Sequence, residues 1–189
     1  MKVYSLTIRG ISPLLQSRVY EHEVPRLAKE THNDYEQRTW QHKAHSDKDG
    51  KVIIPAIFMR NCLREAAQYL GIQIPGKGKS TYTKHFNSGI GIYDDAQLSV
   101  KVTDTKKFTM LANADGRHGS GKRVVRLFPK IDEWQAMFKI YVMDETITRE
   151  VLLQHASEGG MFRGIGTRRP GNGGEFGRFK VEELKEVKA

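Results

Sequence analysis

The chain has 189 residues, a formal net charge of +9 and a single cysteine, Cys62. This length suits one domain, and the charge favours a polyanionic partner or an anionic surface. One cysteine excludes an internal disulfide framework and a cysteine-based zinc site, and the lack of a long apolar run predicts a soluble, cytoplasmic protein without a membrane partner.

The first fifty residues predict one strand followed by a long polar insertion. Residues 1–9 alternate between apolar and polar side chains, as in a half-buried strand. Residues 18–50 are dense in charge and histidine and have no strand period, so we interpret them as an insertion that projects from the core. A short helix over 33–44 is expected there, with Tyr35 and Trp40 exposed.

A short strand and the first long helix follow the insertion. The apolar run 51–54 stops at Pro55, which is favoured at the start of a helix, and apolar residues then recur at helical spacing until Gly71. Cys62 lies on this helix and is expected to be a small core residue. Residues 75–88 predict a basic loop.

The second half predicts four more strands before a second helix. We place these strands at 90–102, 106–111, 122–128 and 134–142, with a flexible basic loop over about 112–122. Thr148 is expected to cap a helix that Gly159-Gly160 end, and a last strand is predicted over 176–184.

Without its insertions, this order is βαββαβ within a single domain, 1–189. That order is the α+β, ferredoxin-like or RRM-like plan, in which two helices cover one face of a four-stranded sheet. The other face then stays open to solvent. We expect it to carry Arg9, Lys139, Tyr141, Arg178 and Lys180, with base stacking at Tyr141, Trp40 or Tyr35.

The most informative stretch is residues 159–178, which we call the Gly/Arg segment. Eight of the eighteen glycines lie between 159 and 177, and the segment contains four arginines. Glycine lets backbone N–H groups approach a ligand closely, and arginine forks suit phosphate oxygens. We therefore predict binding of single-stranded RNA or DNA through its sugar-phosphate backbone. The expected binding residues are Arg60, Arg64, Lys122, Arg123, Arg126, Arg163, Gly164, Gly166, Arg168, Arg169, Gly173, Gly174, Arg178 and Lys180.

Three patterns resemble the RAMP superfamily of CRISPR-associated RNA-binding proteins. They are Ile11-Ser12-Pro13-Leu14-Leu15 after the first strand, the helix start over 52–64, and the glycine-rich stretch before the last strand. The resemblance implies a modified RRM fold, backbone binding of single-stranded RNA, and side-by-side assembly along a guide. Arg60 would take the family's lysine position and Arg64 its arginine position. Gly164, Gly166, Gly173, Gly174 and Gly177 would belong to its glycine-rich loop.

Several alternatives remain open from sequence. The chain is expected to form a homo-oligomer along the strand or to be a subunit of a ribonucleoprotein; a phage or mobile-element relative that coats single strands fits the same residues. A metal-independent RNA endonuclease using His85 or His118 is the runner-up, and an inhibitor that imitates a CRISPR subunit is a third reading. We assign no catalytic residue, cofactor or metal, although a His/Asp site within 42–49 is the alternative to a solvated loop.

Overall fold

A computed structural model describes residues 1–113 and 122–188. Within them the chain forms nine strands and four α-helices. The strands are β1 (Lys2–Gly10), β2 (Leu14–Leu15), β3 (Lys51–Ile54), β4 (Ile90–Gly91), β5 (Ala96–Lys101), β6 (Lys106–Asn113), β7 (Arg123–Ile131), β8 (Gln135–Val142) and β9 (Phe179–Val187). The helices are α1 (His32–Thr39), α2 (Ala56–Leu70), α3 (Thr83–Ser88) and α4 (Arg149–Phe162). The predicted α+β class is confirmed. Most of the loop expected at 112–122 lies outside the described residues.

A four-stranded antiparallel sheet in the order β4-β8-β1-β9 forms the centre of the molecule. The alternation predicted for the first strand is present, because Tyr4, Leu6 and Ile8 are buried on one face. Phe138 of β8 and Phe179 of β9 are buried in the same core. Helices α2 and α4 contribute Met59, Leu63, Leu152 and Ala156 to it. The polar positions of β1 and β8 lie on the opposite face.

Helix α2 has the ends that its sequence predicts. Pro55 occupies the N-cap position, and Gly71 ends the helix in a left-handed conformation with φ of 57°. Positions such as Cys62 and Ala66 are buried against α4. None of the helices in the described ranges is long and apolar enough to cross a membrane.

The insertion packs against a second, three-stranded sheet in the order β2-β7-β6, so it does not project as expected. The carboxylate of Glu36, only 1% exposed, accepts hydrogen bonds from Lys43 Nζ at 2.6 Å, from Arg126 Nη1 at 3.0 Å and from the Leu127 amide at 2.8 Å. Burial raises the pKa of Glu36, but these donors outweigh it and hold the pKa below its ordinary value.

The predicted exposure of Tyr35 is wrong. Its side chain is buried, its hydroxyl donates to the Val24 carbonyl at 2.6 Å, and its ring stacks on that of Tyr20 with centroids 6.1 Å apart. The insertion therefore has a small aromatic core of its own, which its polar sequence concealed.

Helix α4 does not end at Gly159-Gly160 but continues to Phe162. A Cβ at Gly159 would lie 3.1 Å from the Cβ of Ala66, and one at Gly160 would collide with the Phe179 carbonyl oxygen. These glycines allow close packing of α4 against α2 and β9, and they do not act as a helix stop. Helix α3 was not predicted, and the strand expected at 90–102 is divided into β4 and β5.

Candidate nucleic-acid interface

The Gly/Arg segment is folded back on itself and bonded to the start of the chain. The amide of Ile165 donates to the Gly177 carbonyl at 3.0 Å, which joins the two arms of the segment. The amides of Thr167 and Gly177 donate to the carbonyls of Leu15 and Pro13 at 2.9 and 2.8 Å. Most N–H groups of the segment therefore have acceptors within the protein, and few face an external phosphate.

The glycines of the segment are explained in large part by close packing of backbone. A side chain at Gly174 would collide with the Arg168 carbonyl, and one at Gly177 with the Ile165 carbonyl. Gly164 and Gly166 are similarly close to Pro170 and to Leu15, respectively. Gly173 differs, because no atom lies within 4 Å of its added Cβ although its φ is +73°.

Two of the four arginines are engaged by one carboxylate of α2. Arg169 donates to both oxygens of Glu65 at 2.7 and 2.6 Å, and Arg163 Nη2 donates to its Oε2 at 3.1 Å. Burial raises the pKa of Glu65, but the hydrogen bonds and charges of these arginines outweigh it, so the pKa lies below its ordinary value of 4.5. This cluster fastens the segment to α2.

Arg178 does not lie on the open face of the sheet, contrary to expectation. Its Nη1 donates to the Met161 carbonyl at the end of α4, and its amide donates to Ser12 Oγ at 2.9 Å. Lys180 is exposed and lies opposite Arg9, which pairs with Glu182. The open face therefore carries mixed charge, and it is not the uniformly basic surface that was expected.

The remaining predicted cations fall into two further places. Arg60 and Arg64 lie one turn apart on α2, where Arg64 Nε donates to Asn87 Oδ1 at 3.1 Å. Lys122 and Arg123 are exposed at the start of β7 and line a separate cleft of about 350 Å³ beside the start of α1. The structure thus does not bring all the expected residues into one site.

One open groove of about 710 Å³ collects basic side chains from three parts of the chain. The insertion, the β6–β7 pair and the Gly/Arg segment each contribute to its walls. We call it the basic groove; its lining residues are Ser17, Arg18, Tyr20, Glu21, Lys43, Ala112, Asn113, Arg126, Phe128, Thr167, Arg168 and Asn172. Four of these side chains are basic and one is acidic, so the groove suits an anionic ligand.

Three of the four cations of the basic groove are held in position by neighbouring carboxylates, and Arg168 is the exception. Arg18 forms a bidentate pair with Glu23 at 2.6 and 2.7 Å, while Lys43 and Arg126 share Glu36. Sequence reasoning found Arg126 and Arg168 but missed Arg18 and Lys43. No local signal marks those two, since only the packing of the insertion on β7 brings them to the groove.

Arg168 has an unusual backbone conformation. Its φ of 55° is the one positive value among the non-glycine residues of the described ranges. Its carbonyl accepts from the Phe176 amide at 3.1 Å, and the Gly174 backbone packs against it, so the surroundings fix this conformation. Strain of this kind is concentrated at functional positions. The guanidinium forms no ion pair with a described residue.

A smaller cleft of about 140 Å³ adjoins the groove along the chain. It is lined by Phe58 and Asn61 of α2 and by Ile165, Gly166 and Arg169 of the segment. Within residues 165–169, Ile165, Gly166 and Arg169 line this cleft, whereas Thr167 and Arg168 line the basic groove.

The side chains considered for catalysis, His85 and Cys62, are held in place or buried by their neighbours. His85 Nδ1 lies 2.6 Å from Asp144 Oδ2, a contact that lowers the pKa of Asp144 to about 2, and His85 Nε2 is buried. Burial raises the pKa of the Cys62 thiol to about 12, which leaves it protonated. His118 lies outside the described residues. Within the described ranges, no group of three His, Cys, Asp or Glu side chains is placed to hold a metal.

No protein-family model and no curated protein sequence matches this chain. Its fold is similar to a chain in the cryo-EM structure of the type III-B Cmr-beta bound to cognate target RNA, with a TM-score of 0.54 and 12% identity over 99% of this chain and 61% of that chain. It is also similar to Cmr6 from Pyrococcus furiosus, with a TM-score of 0.50 and 10% identity over 96% and 98% of the two chains. The chain thus spans about three fifths of the Cmr-beta chain. These two matches show a shared fold.

Proposed function

We propose that this chain, whose fold is that of type III CRISPR RAMP-like subunits, is a non-catalytic RNA-binding subunit of a ribonucleoprotein complex. In this proposal the basic groove holds the sugar-phosphate backbone of single-stranded RNA. The observation that carries it is the convergence of Arg18, Arg126 and Arg168 on one open groove from three separate parts of the chain, with the buried Lys43 also in its lining. Cmr-beta, which the fold resembles, is bound to target RNA.

Arg168 is the central phosphate ligand of the proposal. Its guanidinium lacks a carboxylate partner among the described residues, whereas Arg18 and Arg126 are oriented by Glu23 and Glu36. Thr167 and Asn172 add neutral polar groups beside it. Because such contacts go to phosphate and sugar, we expect little sequence preference. In this proposal the RNA backbone then continues past Gly166 into the smaller cleft beside Asn61.

The proposal also covers the fold plan and the assembly of the chain. The order β4-β8-β1-β9, with α2 between β1 and β4 and α4 between β8 and β9, fits the ferredoxin-like βαββαβ plan. We infer that the insertion and the β6–β7 pair elaborate this unit and widen its binding surface. We also infer that copies or related subunits lie side by side along the strand.

The salt dependence of RNA binding tests the proposal. Fluorescence anisotropy with a labelled oligouridine, at salt concentrations between about 50 and 200 mM, gives the slope of log K against log salt. For a single strand each neutralised phosphate contributes about 0.7 to this slope. Arg168→Gln should therefore weaken binding and reduce the slope by about 0.7, whereas Arg168→Lys should keep most of it.

Lys48→Gln is the matched control, because it removes the same net charge from an exposed turn outside the groove. An unchanged slope in Arg168→Gln, or equal slopes for Arg168→Gln and Lys48→Gln, contradicts the groove assignment. Failure of the wild-type protein to bind RNA at any of these salt concentrations contradicts the function itself. A matched oligodeoxyuridine run in parallel tests the preference for RNA.

A further inference from the structure

Two tyrosines, the exposed Tyr93 and the half-buried Tyr141, form an aromatic pair on the open face of the central sheet. The rings of Tyr93 and Tyr141 have centroids 5.2 Å apart at an interplanar angle of 48°. Lys139, two residues before Tyr141 on β8, places its Nζ 5.3 Å from the Tyr141 ring centroid. This trio lies on the face opposite α2 and α4, because Phe138, Ile140 and Val142 occupy the buried face.

The backbone of β4 is adapted to this arrangement. Gly91 pairs with Tyr141 across the strands, and a Cβ at Gly91 would collide with the Tyr93 ring. The absence of a side chain at Gly91 therefore lets Tyr93 fold back over the strand and lie beside Tyr141. Even so, Tyr93 remains 68% exposed, so the outer side of its ring faces solvent. Met137, 57% exposed, extends the apolar surface along β8.

The charges of this face make Lys139 distinctive. Arg9 is paired with Glu182, and Lys185 with Glu183 at 2.6 Å, so these cations are largely neutralised by their neighbours. Lys139 and Lys180 form no ion pair with any residue of the described ranges, and Lys139 is the one of the two that lies over an aromatic ring. It is thus a cation beside an aromatic surface and remains available to an external anion.

A second aromatic pair on the surface differs from the tyrosine pair in the state of its neighbouring cation. Tyr69 and Phe162, at the ends of α2 and α4, have ring centroids 5.7 Å apart, and the Arg163 guanidinium lies 5.7 Å from the Tyr69 ring. That guanidinium already binds Glu65, so the pair at the helix ends lacks a free cation. The pair on the sheet has both elements that a stacked nucleotide requires, a ring face for the base and a cation for the phosphate.

We propose that the open face carries a base-stacking site in which Tyr93 receives an unpaired RNA base, Tyr141 supports the Tyr93 ring from below, and Lys139 contacts the adjacent phosphate. The site deepens the proposed RNA-binding function and rests on it, but it uses a different surface from the basic groove. Stacking tolerates any base, because every base has a π-face, so this site adds affinity without sequence preference.

Binding to RNA with and without bases tests the site directly. We would measure the Kd of the full chain for an oligouridine and for an abasic ribose-phosphate oligomer of equal length. Wild-type protein should prefer the oligouridine, and Tyr93→Ala should lose about tenfold in affinity for it while its affinity for the abasic oligomer stays unchanged. Tyr93→Phe should retain the preference. Tyr69→Ala is the matched control, and it should leave the preference intact.

The outcomes separate this site from the proposed function. A wild-type protein that binds neither oligomer contradicts the proposed function. Equal wild-type affinities for the two oligomers leave that function standing and overturn the stacking site. Equal losses of affinity for both oligomers in Tyr93→Ala also overturn the stacking site. So does an effect of Tyr93→Ala on self-association alone, because the tyrosine pair would then be a protein contact. Thermal unfolding of each variant checks that the fold is kept.

Discussion

Replacing Glu65 with glutamine should destabilise the protein by removing the charge that two arginines share. The side chains of Glu65, Arg169 and Arg163 are 28%, 16% and 23% exposed, respectively. Removing one partner of a fully buried pair costs about 3–5 kcal/mol because it leaves an uncompensated charge. Since water still reaches part of this cluster, we expect a loss of about 2 kcal/mol in the free energy of unfolding.

Urea unfolding followed by circular dichroism measures this loss. Glu182→Gln is the control, since its partner Arg9 is 53% exposed and solvent screens a surface pair of this kind, so that its loss should change the free energy of unfolding little. The pKa of Glu65 is depressed in the folded state, so its contribution is present above about pH 4.5 and is lost as the pH falls through the folded pKa. The wild-type and Glu65→Gln stabilities should therefore converge in acid.

Equal losses for Glu65→Gln and Glu182→Gln at neutral pH would refute this reasoning. So would a difference between wild type and Glu65→Gln that persists unchanged well below pH 4.5. Either result would mean that backbone hydrogen bonds, such as that between Ile165 and Gly177, hold the segment without help from the carboxylate.

Two further predictions concern the packing of the segment and of α2. Gly177→Ala should destabilise the protein by several kcal/mol, because its Cβ would collide with the Ile165 carbonyl. Gly173→Ala meets no neighbouring atom and should cost only about 1 kcal/mol of backbone strain. Thermal unfolding of the two variants measures the difference, and similar losses would contradict the packing argument. Native Cys62 should resist iodoacetamide at pH 8 because burial raises its pKa to about 12, and it should react after unfolding in urea; rapid labelling of the folded protein, followed by mass spectrometry, would contradict this burial.

Elements with strong local signals were predicted well. The alternation in residues 1–9 predicted β1, and Pro55 and Gly71 marked the ends of α2. Helix α3 was missed because it has only six residues and is held by Phe86, which is buried and stacks on His155 at 4.5 Å. Short elements of this kind depend on tertiary packing more than on intrinsic propensity.

Glycine shows where local reasoning failed. Gly159 and Gly160 were interpreted as a helix stop, yet they lie within α4 because neighbouring elements leave no room for a side chain. The same two residues are compatible with either role, and the choice depends on Ala66 and Phe179, which are distant in sequence. The composition of the Gly/Arg segment likewise suggested ligand contact where much of the glycine content serves internal packing.

The sequence by itself determined the α+β class, the main strands and helices, the basic charge and the presence of a glycine- and arginine-rich stretch before the last strand. The tertiary structure decided which arginines remain available to a ligand. Arg163 and Arg169 meet Glu65 across 98 and 104 residues of sequence, while Arg168, between them, faces the groove. Charge is a property of each residue, but the partner that neutralises it is chosen by the fold, because electrostatic interactions act between neighbours in space.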